Sequence, residues 1–373
     1  MANTLSTVTF SEFQSQIERE FLQGSAVAPA LFSSAIQFIE DTEILPGGEV
    51  AYPIHEALGW VRIVRFGKQA RENEFAALFK NEDGSDWQAK LSHGIQRGKK
   101  SYGAPKGYGS RAFLPAVPAA IRQKIEQRYS TIIPSEGAFW EFVETHPEIP
   151  IVFTEGGKKS LSLLSEGVIA ISLYGVNAGY RVKDELGNPV SPYLIPDVLR
   201  FCQPGRTIHL AFDQDESQKT RRRVNSALRR FGGLLHEAGA QVSILSWDGR
   251  LGKGIDDLIA NQGFAAFERA YSEALLLSHW RIWQRLEGNL TDRADLKINT
   301  QDLSTLECAA LPERGIIGIS SAKGTGKTKF TAQQVGDSNK VLAAGHRIAL
   351  MRNLSARLGL DYLGDVDKAN GAF

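Results

Sequence analysis

Ile151-Val152-Phe153-Thr154-Glu155-Gly156 is the stretch that decides how this chain folds. Four β-prone residues run into a carboxylate, and a second glycine, Gly157, follows at once. A short apolar run of this kind reads as a buried strand. The glycines let the backbone turn sharply and leave the carboxylate uncovered. The pattern recurs at Leu210-Ala211-Phe212-Asp213-Gln214-Asp215. In extended backbone, residues i and i+2 face the same side, so Asp213 and Asp215 can converge on one cation. Hard carboxylate oxygens with open positions for water and phosphate suit Mg²⁺. In open parallel sheets such sites lie at the C-terminal strand ends.

Working outward, strand and helix signals alternate. Helices are expected near Ala119–Tyr129 and Glu136–Glu144, then a strand over Pro150–Thr154 and a helix over Lys158–Ser165. Val168–Leu173 reads as strand, Pro196–Phe201 as helix, Thr207–Phe212 as strand, Gln218–Ala238 as a long helix and Gln241–Trp247 as the last strand. Alternation of this kind argues for parallel βαβ units. Helical signals follow at Ile255–Ala260 and Phe264–Leu277. Before them, residues 1 to about 45 read as helical, with Ser11 as a cap and a second apolar-periodic stretch over Pro29–Glu40. Residues 50 to 115 look mixed, with a short strand over Gly59–Phe66.

The composition, 42% hydrophobic and 23% charged over 373 residues, is that of a globular protein with a core, and the length allows two or three domains. No run reaches the length of a membrane span, and Met1 to Phe10 lacks a signal-peptide pattern. Cys202 and Cys308 are too few for a disulfide framework, so a reducing cytoplasm is the expected setting, without membrane. The net charge of +1 hides two basic clusters. Trp87 to Ile125 has no acidic residue but holds Lys90, Arg97, Lys99, Lys100, Lys106, Arg111, Arg122 and Lys124. The second comprises Lys219, Arg221, Arg222, Arg223, Arg229 and Arg230. Clustered positive charge in a near-neutral chain is the footprint of a polyanion partner. The first cluster, rich in glycine and aromatics, is the stronger candidate; the second has helical spacing, which a solvated face also explains.

The segments Thr154-Glu155-Gly156, Gly167-Val168-Ile169-Ala170 leading to Leu173-Tyr174-Gly175-Val176, and Phe212-Asp213-Gln214-Asp215 together resemble the Toprim domain of bacterial primases, topoisomerases and related nucleases. The resemblance implies that Glu155 does acid/base or metal work and that Asp213 and Asp215 hold Mg²⁺ or Mn²⁺. The glycine often found shortly after such a D-x-D is replaced by Glu216-Ser217. Lys158, one helical turn past Glu155, is a candidate phosphate contact or carboxylate partner. In Gly252-Lys253-Gly254-Ile255-Asp256-Asp257-Leu258, Asp256 reads as a helix cap. A similar segment closes the Toprim domain of plasmid and phage primases near the metal, which makes Asp256 a candidate ligand and Lys253 a candidate site residue. No cysteine precedes Cys202, so the zinc module that opens many bacterial primases is not expected in this sequence. The order, a basic glycine-rich loop and then Toprim, is similar to cyanobacterial-type plasmid replication proteins. By that analogy Lys99, Lys100, Lys106 and Arg111 contact template phosphates, and Tyr102 and Tyr108 stack on bases or anchor the loop.

Ser321-Ala322-Lys323-Gly324-Thr325-Gly326-Lys327-Thr328 fits a P-loop with Ser in place of the first Gly. Gly324 and Gly326 turn backbone N–H groups toward phosphate, Lys327 reaches the β/γ-phosphates of ATP, and Thr328 binds Mg²⁺. A strand is expected over Gly315–Ser320, a helix over Lys329–Val335, a strand over Lys340–Ala344 and a helix over His346–Leu358. Val341 to Leu350 resembles the second motif of superfamily 2 helicases, which makes His346 and Arg347 nucleic-acid candidates. The second acidic strand of an ATPase has no room before Phe373, so a fragment of a longer protein is expected, binding ATP weakly and hydrolysing it poorly.

The expected architecture is α/β: a Toprim-like parallel sheet flanked by helices (131–275), preceded by a helical and mixed α+β basic domain (1–130) and followed by a connector (276–312) and the start of a P-loop NTPase domain (313–373). The expected function is a Mg²⁺-dependent primase of a plasmid or phage, using nucleotides on single-stranded DNA beside the plasmid replication machinery and joined to a helicase. A Toprim nuclease with an ATPase, and a non-catalytic DNA-binding initiator, are the alternatives. A topoisomerase is disfavoured because no nucleophilic tyrosine can be placed.

Overall fold

In the computed structural model, residues 9–60, 74–92, 101–107, 109–215, 217–287, 296, 298–306, 317–335, 341–343 and 348–362 are described. Lys99, Lys100, Tyr108, His346, Arg347 and the expected strand beyond Trp60 lie outside them. Two compact units divide the chain, Met1–Ser278 and His279–Phe373. No helix among the described residues is long and apolar enough to cross a membrane.

The first unit opens with α1 (Phe10–Leu22), capped by Thr9 rather than Ser11: the Thr9 side chain accepts from the Glu12 N–H while Glu12 reaches back, a full capping box. After α2 (Pro29–Ala35) the chain turns to strand, β1 (Ile36–Glu40), where helical continuation to Glu40 was expected. The alternation Ile36-Gln37-Phe38-Ile39-Glu40 gains a partner in β4 (Phe75–Lys80), pairing Ile36 with Phe79, so a sheet ladder outcompetes the helix. Between them lie the short pair β2 (Glu43–Ile44) and β3 (Val50–Ala51) and helix α3 (Pro53–Leu58). With β5 (Asp86–Leu91) and β6 (Tyr102–Gly103) the antiparallel order is β1-β4-β5-β6. Phe13, Ile17 and Phe21 of α1 are all buried. Phe13 packs on Phe75 and Phe21 on Phe79.

Helices α4 (Ala119–Tyr129) and α5 (Phe139–Thr145) lead into the parallel sheet. It is built from β7 (Ile151–Glu155), β8 (Ala170–Leu173), β11 (Thr207–Leu210) and β12 (Gln241–Ile244), with β13 (Leu275–Leu276) antiparallel at one edge. The order β13-β12-β11-β7-β8 reverses direction between β7 and β11, because the chain goes outward to β8 and then returns on the other side. In open α/β sheets this switch point opens a crevice at the strand C-termini.

Helices cover both faces. On one, Val152, Ala170 and Ala211 pack with Leu163 of α6 (Gly157–Ser165), Leu258 of α9 (Ile255–Gln262) and Phe267 of α10 (Phe264–Ser272). On the other, Phe153 and Phe212 meet Phe231 of α8 (Gln218–Glu237) at 5.8 and 6.4 Å between ring centres. The hairpin β9 (Tyr180–Lys183) and β10 (Pro189–Leu194), followed by the short α7 (Pro196–Leu199), joins β8 to β11.

Arg206, fully buried, fixes the start of the two central strands. Its guanidinium donates to the carbonyls of Val143, Glu144, His146 and Ile149, tying the residue before β11 to the end of α5 and the approach to β7. Burial pulls its pKa down to about 10, so it stays charged at neutral pH. Trp87 joins the two sheets. It stacks between Phe113 and Tyr174, 4.8 Å from each; its indole donates to Arg111 O, and Tyr174 donates to Trp87 O.

The second unit holds most of α11 (Leu277–Glu287), then α12 (Lys327–Val335) and α13 (Ile348–Leu358). Residues 317–320 and 341–343 carry no strand, contrary to expectation. A strand needs a laddered neighbour, and none stands among the described residues of this unit.

Candidate phosphoryl-transfer site at the sheet switch point

Glu155 ends β7, and Gly156 takes φ +82° directly after it. That left-handed turn lets α6 start at Gly157, where space is tight: a Cβ on Gly157 would come within 2.6 Å of the Phe79 ring. Asp213 follows β11, the parallel neighbour of β7. The two carboxylates therefore stand on adjacent strand ends across the switch point. They interact directly. Burial first, then the Asp213 charge, pushes Glu155 above the ordinary carboxylate range, while Lys159 and the Asp213 N–H pull it back.

Two ammonium groups balance the acids. Lys159 Nζ is 2.6 Å from Asp213 Oδ1, and both side chains are largely buried. Burial works against the Lys159 charge, but Asp213 and Glu155 outweigh it and hold the ammonium above its usual range. Lys253 lies 3.1 Å from Asp215 Oδ2 and 3.9 Å from Asp213 Oδ2. The Gln214 N–H donates to Lys253 O, which fixes the 252–258 turn against the D-x-D segment. Asp256, 3% exposed, accepts from Ser25 Oγ at 2.9 Å, while its Oδ1 is buried without a hydrogen-bond partner. Burial chiefly, opposed by Lys159 and Lys158, leaves Asp256 above its ordinary range. Gly254 closes the cluster, since a Cβ there would strike Asp256 Oδ1 and reach Lys159 Cε at 2.6 Å.

The sequence singled out Lys158, but that side chain turns elsewhere. Its Nζ pairs with Glu20 Oε1 of α1 at 2.8 Å, and Glu20 Oε2 pairs with Lys90 of β5. Successive helical residues point about 100° apart, so only one of Lys158 and Lys159 can face the strand ends. The adjacent pair was visible in the sequence; which member faces Asp213 depends on where α6 begins. Glu20 and Ser25 carried no sequence signal, because each meets the site through a contact far away in the chain.

Donor chemistry fits a divalent cation here: hard oxygens from Glu155, Asp213, Asp215 and Asp256, one of them orphaned, on an edge with mutually repelling carboxylates. The three expected ligands are not closed around one point, however. Among the described residues no three His, Cys, Asp or Glu side chains are grouped to hold a metal ion, and Lys159 and Lys253 supply the compensating charge.

Of the first basic cluster, several members work inside the fold. Arg111, expected on template phosphate, pairs with Asp83 at 3.3 Å and Asp197 at 3.5 Å. Lys90 is buried against Glu20, Arg122 donates to the carbonyls of Val117, Pro134 and Gly137, and Lys124 donates to Ser165 O. Lys106 is exposed. Tyr102 lies under Lys90, 5.4 Å from its ring centre, as a packing partner.

In the second unit, Gly324 and Gly326 take φ +86° and +72°, and α12 starts at Lys327. Lys327 Nζ donates to Ser321 O, Ser321 Oγ and Ala322 O at 2.9, 2.9 and 2.6 Å, folded over its own loop. Thr328 is half-buried in the first turn of α12.

A family model described as a domain of unknown function, DUF3854, matches residues 139–266, the span of the parallel sheet and its helices. An uncharacterized protein of Picosynechococcus sp. (strain PCC 7002) is 36% identical over 279 residues, 72% of this chain and 27% of that protein. The chain thus spans about a quarter of the length of the curated relative it matches. Similar solved structures include the Aquifex aeolicus primase zinc-binding and RNA polymerase domains, with TM-score 0.42 and 11% identity over 77% of this chain and 67% of that one. The E. coli primase catalytic core matches with TM-score 0.39 and 13% identity over 95% of each chain. A DnaG primase catalytic domain bound to single-stranded DNA matches with TM-score 0.40 and 13% identity over 92% of this chain and 88% of that one. At these scores the likeness carries no residue-level assignment.

Proposed function

We propose that this chain is the primase part of a DNA replication protein, joining nucleotides into short primers on single-stranded DNA with Mg²⁺ or Mn²⁺. The observation that carries the reading is the pairing of Glu155 with Asp213 across the switch point between β7 and β11, with Asp215 and Asp256 on the same edge. When bound, a divalent cation there would offset the charge of the triphosphate and of the oxygen that attacks it. Glu155 and Asp213 would hold it between the two strand ends, with Asp215 and Asp256 adding negative charge on the same edge. Lys159 would steady Asp213, and Lys253 would face the phosphates from its exposed position. Glu155, held above the usual carboxylate range, is suited to take the proton of an attacking hydroxyl.

The glycine loop at 321–328 supports a nucleotide-binding role for the second unit: Lys327 would leave its loop carbonyls for the phosphates of ATP, with Gly324 and Gly326 giving N–H groups room to approach and Thr328 meeting Mg²⁺. A helicase-type ATPase, a cytoplasmic setting and a place in plasmid replication machinery complete the proposal, as does strand contact through Lys99, Lys100, Lys106, His346 and Arg347.

Incubating the chain with Mn²⁺ or Mg²⁺, ribonucleotides and a single-stranded template tests the reading. Short new RNA, abolished by Asp213→Asn, is the expected product. Template shortening would make the same carboxylates a nuclease. Strand binding that yields no product and is indifferent to Asp213→Asn would refute both.

A further inference from the structure

The second basic cluster lies on α8, which starts three residues after Asp215. Gln218 to His236 contains no acidic residue. At 100° per residue, Val224, Ala227, Leu228, Phe231, Gly232 and Leu235 make one face, and all are buried against the sheet. Lys219, Arg222, Arg223, Arg229 and Arg230 fall within a stripe about 120° wide on the opposite face, and all five are exposed. The stripe runs about 16 Å along the axis. Among the described residues Lys219, Arg222 and Arg223 form no ion pair, in contrast to Lys90, Arg111 and Arg122 of the first cluster. Arg230 lies 5.9 Å over the Tyr180 ring, which anchors the far end to the β9–β10 hairpin.

Five like charges on one stripe repel one another, and like-charge neighbours at i, i+3 and i, i+4 weaken a helix by a few tenths of a kcal/mol each. A solvated face needs no such concentration of arginine, and it lacks the alternating signs that a self-supporting surface helix shows. A polyanion relieves the repulsion. The stripe also leads straight to the carboxylate edge, where backbone phosphates would be made or broken.

We infer that the exposed face of α8 is a track for a single strand of nucleic acid, gripping its phosphates through Lys219, Arg222, Arg223, Arg229 and Arg230 and delivering it past Asp215. The inference rests on the proposed phosphoryl-transfer site for its direction, but its grip does not depend on chemistry there. Arginine forks match phosphate oxygens bidentately, and phosphates in one strand recur every few ångströms, so three to five of them span the stripe.

The test is fluorescence anisotropy of a labelled single-stranded oligonucleotide titrated with the full chain, in EDTA and without nucleotides, over a salt series. Lys219→Ala/Arg222→Ala/Arg223→Ala should weaken binding at least tenfold at low salt. It should also flatten the slope of log affinity against log salt by about 2, near 0.7 for each lost phosphate contact on a single strand. Arg269→Ala, at an exposed arginine of α10 on the other face of the sheet, should leave affinity and slope unchanged, and a readout in EDTA without nucleotides separates loss of the grip from failure of the chemistry. An unchanged slope in the triple variant overturns the inference. So does a loss confined to duplex DNA or to anionic vesicles with single-strand binding intact. Should the triple variant not fold, Arg222→Gln alone, with an expected slope change of about 0.7, decides the matter.

Discussion

Lys159 and Asp213, side chains from two different strand-to-helix junctions, meet at 2.6 Å, and this ion pair holds the site's two central strand ends in register. Lys159 comes from the first turn of α6, after β7; Asp213 comes from the end of β11. Without the ammonium, Asp213 and Glu155 would face each other with only Lys253, which is more than half exposed, to offset them.

Lys159→Met should therefore destabilise the first unit by about 3 kcal/mol, the cost of stranding a buried charge. Urea denaturation measures it. The variant should also gain more thermal stability from added Mg²⁺ than the parent does, because a divalent cation can replace the lost positive charge. A loss below about 0.5 kcal/mol would show that the pair is incidental.

Glu20 holds two lysines, Lys90 on one oxygen and Lys158 on the other. Burial pulls the Lys90 pKa down and Glu20 pushes it back. Glu20→Ala should cost about 3 kcal/mol, since it leaves Lys90, 7% exposed, without its anion. The double variant Glu20→Ala/Lys90→Met should recover most of that, and with Lys90→Met alone it closes a double-mutant cycle that gives the coupling. Additive losses would contradict the pairing.

His209 of β11 is buried against Tyr271, 4.4 Å between ring centres, and its Nδ1 has no partner. Burial lowers its pKa from 6.5 to about 4. The folded state therefore binds the proton less readily than the unfolded chain. Its contribution is fully present above pH 6.5 and is lost as pH falls through about 4, a total of about 3 kcal/mol. His209→Leu should flatten the acid limb of stability against pH in that window. A limb of unchanged steepness would locate the acid sensitivity elsewhere.

The parallel sheet was legible because its signals are local. An apolar run stopped by Glu155-Gly156, another stopped by Asp213-Gln214-Asp215, and the 3.6-residue period of Gln218–Glu237 each declare an element without reference to distant residues. Where partners decide, the sequence misled. Ile36–Glu40 continues a helical pattern in the sequence yet forms a strand, because its ladder partner, β4, begins 35 residues after β1 ends. The sequence singles out Lys158 and passes over Lys159, because only the start of α6 tells which of the two faces the strand ends. The first basic cluster outweighed the second as a phosphate grip, yet Lys90, Arg111, Arg122 and Lys124 spend their charge or donors on Glu20, Asp83 and Asp197, and backbone carbonyls. Such pairings join residues tens of positions apart, and no periodicity records them.

The most direct test of the carboxylate edge is a Mn²⁺ titration followed by the loss of the free-ion electron paramagnetic resonance signal, with no nucleic acid or nucleotide present. The parent chain should take up Mn²⁺ saturably, Glu155→Gln and Asp213→Asn should each bind at least tenfold more weakly, and Lys327→Ala should retain that site. Equal Mn²⁺ uptake by the parent and both acid variants would contradict a cation held between the ends of β7 and β11.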